Sequence, residues 1–153
     1  MPYDPYALSE DQKSRSYNMV WVGLPISLAL VACNFLSLGP VGAILEGAGP
    51  VIIGCHLVTF ATYNRFDEHF RSLASFGFAC GIVVIALWFL AQGLLGIFYG
   101  AYGLGHSAAG SPVDPGDIRF RLPDWFNRAF LLASLTATAF YGGFAYAWLR
   151  GRG

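Results

Sequence analysis

His56 and Gln92 are the two side chains best placed to do chemistry in this sequence. Each lies inside a long interval without charge: His56 between Glu46 and Arg65, Gln92 between Arg71 and Asp114. Polar and ionisable groups are costly at membrane depth, so where they persist they point to function. At similar depth on adjacent helices, a histidine and a glutamine would hydrogen-bond across the interior, hold a polar ligand headgroup or pass a proton, with His56 as the titratable member. The plainer alternative is a satisfied pair that fixes helix register. Glu46 is the one acid close to the apolar region from the other side. At the mouth of a bundle it would attract cations; in the plainer reading it is solvated. Ser27, Cys55, Thr136 and Thr138 are the other mid-depth polar residues, and a helical threonine hydroxyl bonds readily to its own backbone.

Other chemistries fail on spacing. His56, His69 and His106 are spread over most of a membrane thickness, too far apart for two axial haem ligands within one chain. Cys33, Cys55 and Cys80 fall at three different depths with no CxxC pair, which removes a quinone-linked thiol mechanism. Cys55-His56 offers two ligands where zinc needs three or four. There is no P-loop, GxSxG or HExxH. Hence no catalytic residue, metal site or cofactor is assigned. Leu30-Val31-Ala32-Cys33 has the form of a lipoprotein processing site, although the three acids before it and the commonness of the pattern favour an ordinary buried cysteine.

The elements that would position these residues are legible in the charges. The chain has 153 residues, 56% apolar and only 12% charged, against about 25% charged in soluble proteins. Nine basic and nine acidic residues cancel, so no field points to nucleic acid. Four charge-free intervals, Arg15 to Glu46, Glu46 to Arg65, Arg71 to Asp114 and Arg128 to Arg150, are each long enough for one membrane span. The expectation is a single all-α membrane domain of four antiparallel transmembrane helices over about 18–38, 45–63, 76–103 and 126–149. The third, about 40 Å long at 1.5 Å per residue, is the organising element.

Between the spans, Ser9 would cap a short interfacial helix. Gly47, Gly49 and Pro50 would weaken the start of the second span. Asn64 to Arg71 would form a polar link with Phe66 and Phe70 on one interfacial turn, and Leu104 to Pro123 a loop with turns at Ser111-Pro112 and Asp114-Pro115-Gly116. Tyr17 and Trp21, Trp125, and Tyr146 and Trp148 would mark the interfaces. Lys13, Arg15, Arg65, Arg71, Arg150 and Arg152 lie on one side, Arg119, Arg121 and Arg128 on the other, so both termini would be cytoplasmic.

Close packing in lipid falls to small residues. Gly77 and Gly81, then Gly96 and Gly100, give the third span a packing face; Ser134, Thr138 and Gly142 recur on the fourth, and Gly47, Gly54 and Ala61 on the second. Such faces serve the bundle itself, another subunit, or both. Three functions follow, in descending order. The first is a non-catalytic accessory subunit of a larger membrane complex, in a bacterial inner membrane. The second is a small transporter, channel or lipid- or quinone-binding protein with a path through His56, Gln92 and Glu46. The last is a membrane enzyme, for which no nucleophile or metal set is evident. The partners expected are the bilayer and either other membrane subunits or further copies of the chain.

Overall fold

A computed structural model describes residues 9–36, 39–62, 66–110 and 128–151. The readings that concern Ser37, Tyr63 to Arg65, Ser111 to Asn127 and Arg152 lie outside the described residues, so Arg119, Arg121 and Trp125 are not placed. What is described is helical: α1 (Glu10–Cys33), α2 (Gly39–Thr62), α3 (Glu68–Ala108) and α4 (Ala129–Leu149). All four are long and apolar enough to cross a membrane.

The helix ends follow from local chemistry, and three differ from expectation. Ser9 caps α1 itself, not a separate interfacial helix: its hydroxyl accepts from Gln12 N while the Gln12 side chain accepts from Ser9 N, a reciprocal capping box. Helix α2 begins at Gly39 and runs straight through Gly47, Gly49 and Pro50. Gly39 takes φ +58°, and Pro40 follows at a first-turn position where its missing N–H costs nothing. Helix α3 starts inside the expected polar link, because the Asp67 carboxylate accepts from Phe70 N at 2.9 Å. It then continues past Gly103 to Ala108, ending at Gly110 with φ +71°. Glycine weakens a helix by about 1 kcal/mol without breaking it, so the first five residues of the expected loop are helical.

Helix α4 is the centre of the packing, and its buried residues include Leu131, Ala137, Phe140, Tyr141 and Phe144. The packed pairs are α3 with α4, α1 with α4 and α1 with α2. Trp21 meets Trp148 and Asn34 O accepts from Arg128, so α1 and α4 are antiparallel and the two ends of the described chain share one end of the molecule. There, Phe70 touches Tyr17 of α1, Phe60 of α2, Phe66 and Phe144 of α4, with ring centroids 4.5 to 5.4 Å apart. Phe66 and Phe70 are thus 8% and 1% exposed. They close one end of the core instead of lying along a membrane surface.

Close approach uses some of the expected small residues and not others. A Cβ on Gly77 would meet Phe140 O at 2.7 Å, and one on Gly81 would touch Thr136 at 3.4 Å, so this half of the third-span face packs on α4. Gly143 is the matching position on α4, where a Cβ would meet Cys80 Sγ at 2.7 Å; Gly142 has nothing within 4 Å. On α2 it is Gly49, against Leu30, that is packed, while Gly47 and Gly54 face open space. Among the described residues, a Cβ on Gly96 or Gly100 would also meet nothing within 4 Å. Fifteen residues separate Gly77 from Gln92, about 22 Å of helix, and α4 offers no counterpart that far along.

Candidate functional site

His56 is half-buried on the α4-facing side of α2, and its Nδ1 lies 3.3 Å from the Tyr141 hydroxyl. Tyr141 is fully buried. Its ring packs over Gly23 of α1, where any side chain would occupy the same space. Phe60, one turn from His56, stacks on Phe140 at 5.8 Å. The histidine–tyrosine link therefore ties α2 to α4 at a level held by α1 and the Phe140 ring. Composition offered no reason to choose Tyr141 from eight tyrosines; only the fold brings it to the histidine.

Gln92 is not part of this arrangement. The α3–α4 register sets Gly77 beside Phe140, so Gln92 stands about 22 Å along α3 from that level. Gln92 is half-buried, and among the described residues it has no hydrogen-bond partner. Glu46 is exposed, on a shallow cavity of about 360 Å³ formed by the end of α1 and the start of α2, beside Cys33, Asn34 and Gly42. The structure thus distributes His56, Gln92 and Glu46 over separate places.

The other polar groups are satisfied locally. Ser27, Ser134, Thr136 and Thr138 donate to Leu24 O, Phe130 O, Leu132 O and Ser134 O at 2.7 to 2.9 Å. Among the described residues no three His, Cys, Asp or Glu side chains converge, and Cys33, Cys55 and Cys80 are free thiols. A mainly apolar cavity of about 200 Å³ lies between α1, α2 and α4, lined by Leu30, Pro50, Ile53, Leu57, Phe130 and Ala137 among others.

Fold and site together define an all-helical protein whose described residues form four membrane-length helices, with a histidine–tyrosine contact linking α2 to α4. No protein-family profile matches the chain, and no curated protein or solved structure is significantly similar to it.

The contact has a measurable weight. Interhelical hydrogen bonds in membrane proteins contribute about 0.6 kcal/mol on average. Tyr141→Phe and His56→Leu should each lower stability by about that amount, and the double variant by no more than the larger single loss plus a few tenths. A double-mutant cycle by unfolding in mixed micelles measures it; full additivity would remove the contact.

Proposed function

We propose that this chain is a non-catalytic membrane subunit that binds a larger membrane complex through the second half of α3. One observation supports this most. From Gln92 to Ala108 the helix carries no charge, runs beyond its packing on α4 and exposes Leu94, Ile97 and Leu104 at 59 to 75%. Lipid tails cover such apolar side chains, but they cannot satisfy the Gln92 amide. Nor do they exploit glycines that let a second backbone approach closely. A neighbouring transmembrane helix does both. The bilayer proposed is a bacterial inner membrane with both termini cytoplasmic, supported by the excess of Lys and Arg on the terminal side.

Gly96→Ile with Gly100→Ile tests the surface without disturbing the isolated fold, since among the described residues nothing lies within 4 Å of a Cβ added at either position. The doubly substituted chain should remain folded in gentle detergent and lose its co-purifying membrane partner at least tenfold. Retention of that partner at wild-type level contradicts the docking surface.

A second reading, a ligand-binding or transport protein, has the cavity between α1, α2 and α4 in its favour. On that reading His56→Leu abolishes activity in a folded protein. On the first, His56→Leu costs only the stability of the tyrosine contact.

A further inference from the structure

Among the described residues, helices α2 and α4 form no packed pair. Two side-chain contacts join them, His56 with Tyr141 and Phe60 with Phe140. On the N-terminal side of the Phe60–Phe140 stack the two helices enclose, with Leu30 of α1, the cavity of about 200 Å³ described above. Its floor is the protein core: Leu30, Ile53, Ser134 and Ala137 are all buried. Its mouth lies between α2 and α4, where the lining positions Pro50, Gly54 and Ala133 are exposed. A Cβ on Gly54 would meet nothing within 4 Å among the described residues, so no side chain narrows that side.

The chemistry of the lining excludes water and selects hydrocarbon. No charged residue lines the cavity, and Ser134 is the one polar side chain that does. Its hydroxyl hydrogen is committed to Phe130 O at 2.7 Å. A buried water needs two to four polar partners, whereas an apolar cavity of about 150 Å³ stays dry and takes benzene. The volume is also below the range of about 300–1,000 Å³ usual for whole small-molecule ligands.

Shape then separates a chain from a ring. The lining runs from Pro50 to Leu57 on α2 and from Phe130 to Ala137 on α4, seven residues and therefore about 10 Å on each helix. Spread over that length, 200 Å³ leaves a section of about 20 Å², the width of a single alkyl chain. The side mouth lets such a chain enter while its polar end stays outside. Both helices that frame the mouth are long and apolar enough to cross a membrane.

We propose that the cavity between α1, α2 and α4 holds one lipid acyl chain, laid along Leu30, Ile53 and Ala137, and that it recognises the chain and not the headgroup. The site deepens the reading of this cavity as a ligand site and assigns it a resident hydrocarbon. It is separate from the second half of α3, so its failure leaves the docking surface untouched.

Photo-crosslinking of the purified full chain tests it, in nanodiscs of phosphatidylcholine that carries a diazirine in one acyl chain. Mass spectrometry then locates the labelled residues. Label should appear on Leu30 and Ile53, which are 2% and 6% exposed and beyond reach of lipid on the outer surface. Leu87, exposed on α3, reports that outer lipid. Gly54→Leu and Ala133→Leu, each filling the mouth from an exposed position, should lower the Leu30 and Ile53 label at least fivefold and leave Leu87 unchanged. Phosphatidylglycerol with the same labelled chain should give the same pattern. Circular dichroism confirms that each variant is folded. Label confined to exposed residues, or undiminished Leu30 and Ile53 label in the two variants, would overturn the proposal. Floor label that depends on the headgroup would also overturn it, by making the head the group that is recognised.

Discussion

Phe70→Ala is expected to be the most damaging single truncation in this protein, lowering stability by about 3 kcal/mol. Large-to-small changes at buried phenylalanines cost about 3–5 kcal/mol in water-soluble cores. Lipid is as apolar as the core, so the transfer part of that cost shrinks while the lost packing remains. That places the expectation at the lower end. Phe70 merits it because one ring joins Tyr17, Phe60, Phe66 and Phe144, and so ties every helix to the same end of the molecule. Phe89, 62% exposed on the same helix, is the control, and Phe89→Ala should be nearly silent. Reversible unfolding in mixed micelles compares them. Equal losses would mean that the aromatic cluster does not hold the helices together.

The second large effect is a contrast between glycines that look alike in sequence. Gly77→Leu should destabilise the folded chain by about 1–3 kcal/mol, the usual cost of forcing atoms into a packed site. Even the first added carbon meets the Phe140 carbonyl oxygen at 2.7 Å, a backbone atom that moves only if α4 moves. Gly100→Ala should instead leave the isolated chain as stable or up to about 1 kcal/mol more so, because alanine favours helix and nothing stands in its way. In the native membrane the second substitution is the harmful one on the proposed account, since it fills a surface kept for a neighbour. Thermal unfolding of the two purified variants checks the first half of the contrast, and recovery of the partner checks the second.

The four helices were legible because charge is so unevenly spread. Intervals such as Arg71 to Asp114 admit few structures other than a membrane-length helix. Their ends were less legible. Asp67 reads as part of a polar link until its carboxylate is seen on the Phe70 amide. Which element would be central was not legible either: the longest apolar run drew attention to α3, but α4 carries the buried face. Small-residue spacing identified Gly77 and Gly81 and failed to separate them from Gly96 and Gly100, because spacing says that a face is smooth and not what lies against it. The candidate site divided in the same way. His56 stood out as an ionisable group in an apolar run, whereas Tyr141 could be found only from the fold, since its importance comes from where α4 crosses α2. Gln92 stood out as an amide inside an apolar run, but its level along α3 separates it from His56.

Native mass spectrometry of the protein extracted gently from its own membrane tests the central proposal most directly. The account predicts a stoichiometric complex with a larger membrane protein, released when Gly96 and Gly100 are both replaced by isoleucine. A chain that leaves the membrane alone, or only with copies of itself, would contradict it.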